Sequence, residues 1–169
     1  MGKHFTDEMT LAQARDVLRT LIGEGESCPC CSQFAKVYKR RITSPMARAL
    51  LEFRKATPDG SFAHLPTILQ ESNCATAHGD FAKLRYWGVI EEELAKRPDG
   101  GRSGWWRITA FGEDFIAGRV SVPKYAHIYD GRCLGIDGDQ VMFSDALGVT
   151  FHYNELMGTV GEGGQFSLV

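Results

Sequence analysis

The sequence predicts an α+β protein, and three observations carry that expectation. Apolar residues recur at helical spacing near the N-terminus and again between about residues 44 and 56. A middle stretch passes from helical periodicity into two strand-forming runs joined by a Gly-rich tip, and after Gly118 the texture turns to strands and tight turns. With 169 residues, 43% hydrophobic and 24% charged, the chain has the size of one domain or of a domain with an appendage.

The first helix is announced by Thr10-Leu11-Ala12-Gln13, a capping-box pattern in which hydroxyl and amide satisfy orphan backbone groups. Leu11, Ala14, Leu18, Leu21 and Ile22 then form an apolar stripe, and Gly23 is placed to end it. The cysteine-rich turn Ser27-Cys28-Pro29-Cys30-Cys31 follows. Within Phe34 to Ile42, Val37 and Tyr38 favour a short strand. Ser44-Pro45 suits a helix start, with serine as cap and proline in the first turn, and the helix is expected to run to about Ala56.

Thr57-Pro58-Asp59-Gly60 reads as a turn, Phe62 to Gln70 as a short helix and Glu71-Ser72-Asn73 as a second turn. Cys74 to Trp87 reads as a helix with Ala77, Phe81 and Leu84 on its buried side, closed by Gly88. Val89 to Leu94 and Trp105 to Thr109 are expected to pair as strands around the tip Arg97 to Gly104, one tryptophan of Trp105-Trp106 facing the core. Further on, Asp130-Gly131 signals a two-residue hairpin, and Asp137-Gly138-Asp139 suggests another.

Trp87-Gly88-Val89-Ile90-Glu91, the basic Gly-rich tip and Trp106-Arg107-Ile108-Thr109-Ala110-Phe111-Gly112 together resemble the winged helix-turn-helix superfamily over about residues 44–118. The expected organisation is a winged helix core at 44–118, an N-terminal helix, cysteine knuckle and short strand at 1–43, and an acidic β-rich appendage at 119–169. The resemblance implies that the Cys74–Trp87 helix enters a major groove of double-stranded DNA and that the hairpin tip touches the backbone or minor groove. Thr76, His78, Gly79, Lys83 and Arg85 on the helix, and Lys96, Arg97 and Arg102 on the wing, are the implied contacts.

Charge is distributed unevenly. Residues 1–33 carry a balance of -2, residues 34–107 of +5 and residues 108–169 of -5, within a net charge of -2. A local basic face is therefore compatible with an acidic whole, because a phosphate backbone senses the local field. Asp80 and the run Glu91-Glu92-Glu93 oppose such a face. A second reading takes the winged helix as scaffold and the acidic C-terminal part as the surface for a protein partner or inhibited target. Either type suits a small regulatory protein of the kind phages and mobile elements encode.

Five cysteines without a secretory leader argue for reduced thiols. Cys28-x-x-Cys31 has the spacing of half a tetrahedral zinc site, stiffened by Pro29. Cys74 and His78, four apart on one helix face, are candidates for the other half, with His64, Cys133 and Cys30 as substitutes. The alternative is that Cys74 and Cys133 are small buried apolar residues. The histidines at 4, 64, 78, 127 and 152 form no hydrolytic motif and no Gly-rich loop opens a helix, so no enzyme is expected. No apolar run approaches the roughly eighteen residues a membrane span needs, and MGKHFTDEMT lacks the features of a secretory signal, so the expected compartment is the cytoplasm. Two-fold dimers are common among winged helices, although no heptad run marks a dimer helix here.

Overall fold

The computed structural model describes residues 4–72, 78–94 and 104–148, with the side chain of His78 excepted. Its helices and open sheets make the chain α+β. Two compact units are each built from separate stretches of sequence: Met1–Arg41 with Lys124–Gly138, and Ile42–Pro123 with Asp139–Val169.

In the first unit, helix α1 (Leu11–Leu21) begins at Thr10, whose hydroxyl accepts from the Gln13 amide while the Gln13 side chain accepts from Thr10, completing the capping box. Strands β1 (Glu26–Ser27) and β2 (Phe34–Ala35) form a narrow antiparallel pair around the cysteine turn. Strand β3 (Tyr38–Arg41) pairs antiparallel with β7 (Val122–Tyr129), placing Arg41 opposite Tyr125 and Lys39 opposite His127. The sheet order is β3-β7-β8, with β8 spanning Arg132–Val141.

Asp130 and Gly131 join β7 to β8 as the expected two-residue turn, both with positive φ, at 49° and 69°. The second expected hairpin is absent, because β8 runs unbroken through Asp137-Gly138-Asp139. Gly138, at φ 93°, lies under the Tyr125 ring, where a Cβ would stand 2.8 Å from Cδ2.

The second unit is organised on helix α2 (Ser44–Ala56), whose Met46, Ala47, Ala49, Leu50, Leu51 and Phe53 are all buried. Thr43, and not Ser44, occupies the cap position, without a side-chain bond. The Ser44 hydroxyl instead donates to the Leu147 carbonyl of helix α6 (Phe143–Leu147) at 3.1 Å. Strand β4 (Ala63–His64) precedes helix α3 (Leu65–Glu71), so the predicted helix start at Phe62 gives way to a strand and the helix begins at its Leu-Pro pair.

Helix α4 (His78–Phe81) tightens into a 3-10 helix at Ala82–Trp87, which replaces the regular helix the sequence predicts there. Gly88, at φ 72°, closes it. Strands β5 (Ile90–Glu92) and β6 (Trp105–Ile108) pair antiparallel, and the sheet order is β4-β6-β5. Helix α5 (Ala110–Ile116) follows directly. Phe53 meets Phe81 at 5.3 Å between ring centroids, and Phe115 meets Phe143 edge-on at 5.5 Å.

A compact clasp ties these pieces together. Thr109 caps α5, receiving the Gly112 amide at 3.0 Å, and its hydroxyl donates to the Gly88 carbonyl at 2.6 Å. The Thr109 amide donates to the Val89 carbonyl at 3.1 Å. Gly112 is required by this approach: a Cβ there would collide with the Val89 carbonyl oxygen and stand 2.8 Å from Ile108 Cγ2. Gly112→Ala should therefore lower unfolding free energy by about 2 kcal/mol or more through overpacking. Thr109→Ala should cost about 1–2 kcal/mol as a lost cap and helix-end tie. Urea unfolding followed by circular dichroism measures both.

Candidate functional site

Of the residues expected at a DNA interface, Thr76, Lys96, Arg97 and Arg102 lie outside the described residues, as does the His78 side chain. Gly79, Lys83 and Arg85 remain. Gly79 is exposed, with nothing within 4 Å of a would-be Cβ. Lys83 and Arg85 project from the 3-10 helix while Leu84 and Trp87 of the same turns are buried, so the segment separates a polar from an apolar side. Trp87 is fixed further by its indole N–H, which donates to the Pro123 carbonyl at 2.7 Å.

Electrostatics modify the expectation. Lys83 is paired with Asp80 one turn earlier, and Arg85 stands 3.5 Å from Glu92 of β5. Arg107 on β6 is paired with Glu91 across the strands. In the second unit Arg54, Lys55 and Arg119 also have carboxylate partners, and among its described cations Arg48 alone has none. A phosphate approaching Lys83 or Arg85 must compete with a carboxylate already in place. Such exposed pairs are worth little individually, so the competition weakens binding without preventing it.

The first unit differs. Lys36, Lys39, Arg40 and Arg41 fall within six residues, are all exposed, and have no carboxylate partner among the described residues. Lys39 Nζ lies 4.0 Å from the Tyr125 ring centroid and Lys124 Nζ lies 5.5 Å from it, while Arg40 stacks over Tyr38 at 5.2 Å. These contacts hold the cationic heads without neutralising them. The expected interface omits this segment, although its Lys-x-x-Lys-Arg-Arg spacing is a visible signal.

The cysteine turn is built as a loop that gathers sulfur. The Cys28 amide donates to the Gln33 carbonyl and the Ser32 amide to the Cys28 carbonyl, both at 2.9 Å, and Ser32 takes φ 60° to allow the reversal. The Cys28 sulfur accepts backbone N–H groups from Cys30 and Cys31 and a side-chain hydrogen bond from Cys31, which hold its thiol below the usual range. Cys28 is half-buried, Cys30 and Cys31 are exposed, and none of the three is in a disulfide.

Cys133 is also exposed, so the expectation of a buried apolar cysteine is corrected at that position. Its place beside the Asp130-Gly131 turn at the start of β8 leaves it open to solvent. Cys74 lies outside the described residues. Among the described residues no group of three or more His, Cys, Asp or Glu side chains is arranged to hold a metal ion. His64, a substitute candidate for a zinc ligand, bonds Thr67 Oγ1 through Nδ1 at 2.9 Å and packs against Trp105.

No helix among the described residues is long and apolar enough to cross a membrane. No protein-family model, curated protein or solved structure matches this chain.

The left-handed Ser32 gives a local test. Ser32→Gly should stabilise the protein by about 0.5–1 kcal/mol of relieved backbone strain, whereas Ser32→Val should destabilise it. Differential scanning calorimetry of the two variants reads the sign.

Proposed function

We propose that the protein is a DNA-binding winged-helix protein, regulatory in role, in which Gly79, Lys83 and Arg85 with the preceding Thr76 and His78 address a groove. Lys96, Arg97 and Arg102 on the β5–β6 connection hold phosphates. The observation that carries the reading is the clasp of Thr109 and Gly112 on Gly88 and Val89, because it joins the two sequence segments on which the resemblance rests. The connectivity agrees with it: helix, short strand, two helical segments and a hairpin, with the first strand adding to the returning strand in the order β4-β6-β5. The polar side of Ala82–Trp87 carries the lysine and arginine heads that the reading needs.

An electrophoretic shift of mixed-sequence duplex DNA, titrated with salt, tests it. Binding is expected at low salt and should weaken with a slope of roughly -0.9 per neutralised phosphate. Replacing Lys83, Arg97 and Arg102 with alanine should abolish most of it. Asp80→Asn, which releases Lys83, should strengthen it a few-fold. No binding at low salt, or full binding by the triple-alanine protein, would leave the interaction reading as the better one. Exposed Leu134 and Ile136 on β8 are where a protein partner would then be sought.

We also propose that Cys28 and Cys31 are half of a zinc site. Cys74 and His78 are the other half named by the sequence spacing, and a His78 that ligates zinc does not also contact the groove. The support is the Cys-x-x-Cys spacing on a tight turn closed by the Cys28 amide to Gln33 and the Ser32 amide to Cys28, with the Cys28 thiol held below its usual range. Elemental analysis of protein purified without chelators should give zinc near one equivalent, falling to background in Cys28→Ser.

A further inference from the structure

We propose that the segment Lys36 to Arg41, together with Lys124, is a second, sequence-independent contact for the DNA phosphodiester backbone. The proposal rests on the DNA-binding reading but on different residues. Its first ground is the contrast in charge pairing. Six of the second unit's described cations face a carboxylate, Arg48 being the exception, whereas Lys36, Lys39, Arg40, Arg41 and Lys124 face none among the described residues. Asp137 of the same unit lies 2.9 Å from His127 Nε2, so the nearby carboxylate is turned to the imidazole.

The second ground is placement. Strand β3 is the edge of its sheet, hydrogen-bonded on one side only to β7, and all four of its residues are exposed. Alternation puts Lys39 and Arg41 on one face and Arg40 on the other, so the positive heads surround an edge. A groove-reading surface presents its groups in one fixed direction. An edge ringed by cations suits a backbone, where phosphates follow one another and the charge of the contact matters more than its direction.

The third ground is preorganisation. Lys39 and Lys124 both reach the Tyr125 ring, itself seated over Gly138, and Arg40 reaches Tyr38. Long cationic side chains lose rotamer freedom on binding, and aromatic contacts that hold the stems beforehand reduce that loss. The bland role for the same charges is to keep an open strand edge from pairing with another chain. The two roles predict different outcomes.

The experiment compares full-length wild type with Lys39→Gln/Arg40→Gln/Arg41→Gln on a duplex of mixed sequence across a salt series. Each lost phosphate contact should reduce the magnitude of the salt slope by about 0.9, so the triple variant should lose between about two and three, with affinity at low salt down at least about tenfold. The charge-conserving Lys39→Arg/Arg40→Lys/Arg41→Lys should keep the wild-type slope, and Arg15→Gln and Arg48→Gln should leave binding unchanged. Circular dichroism melts and light scattering accompany each protein.

Unchanged DNA affinity in the glutamine variant overturns the proposal. So does self-association of that variant with DNA affinity retained, which assigns the charges to edge protection. An equal loss from Arg15→Gln or Arg48→Gln also overturns it, by making the effect one of net charge. If Lys83→Gln/Arg85→Gln binds normally while the β3 variant does not, the groove-reading assignment fails and this one stands. The opposite pattern keeps the groove-reading assignment and overturns this one, and no binding by wild type overturns both.

Discussion

The second unit depends on one close approach, that of the Thr109–Gly112 turn to the carbonyls of Gly88 and Val89. Four constraints meet there. A 3-10 helix ends in a left-handed glycine, a strand begins, a second strand ends, and a helix starts with its cap already bonded. One hydroxyl satisfies the helix start while bonding the Gly88 carbonyl, and a glycine removes the atom that would force the layers apart. The apolar residues on either side, Leu84, Trp87, Val89, Ile108 and Phe115, can then share one core because the backbone between them is fixed. Burial supplies most of the driving force, but the clasp decides which side chains are buried and which, such as Lys83 and Arg85, are turned outward.

Charge follows a different logic in the two units. Among the described residues of the second, acids stand beside bases. In the first, bases gather on an edge strand, supported by tyrosines and without a carboxylate partner among the described residues. Net charge, which is slightly negative for the whole protein, conceals this difference. Any partner that senses electrostatics meets two distinct surfaces.

Much of the architecture is legible from local signals. The capping box at Thr10, the Asp-Gly hairpin, the buried stripe through Phe81 and Leu84, and the strand pair ending at Thr109 all rest on interactions between near neighbours. What is illegible depends on distant partners. Nothing in Tyr38 to Arg41 indicates that it will pair with Tyr125 to Ile128, more than eighty residues later. Ser44 has the chemistry of a cap, yet its hydroxyl serves Leu147. Asp137-Gly138-Asp139 carries a turn signal that the ladder of β8 overrides. The candidate site shows the same division: spacing places Lys83 and Arg85 on the outward side of their helical segment, but only the folded chain brings Asp80 and Glu92 beside them.

The interleaving of the units bears on how the chain acquires its structure. The N-terminal forty-one residues cannot complete their sheet until the strand beginning near Lys124 exists, and α2, already packed on α3 and α4, lacks its α6 neighbour until Phe143 and Leu147 arrive. On a ribosome both units must therefore wait for most of the chain, and contacts of long sequence separation close late and slowly. A continuous fragment cut at either junction leaves a sheet without a strand or a core without its lid. Translation that stops before Gly138 yields a chain with neither unit complete, so its unfinished products expose apolar surface and invite proteolysis instead of surviving as functional halves.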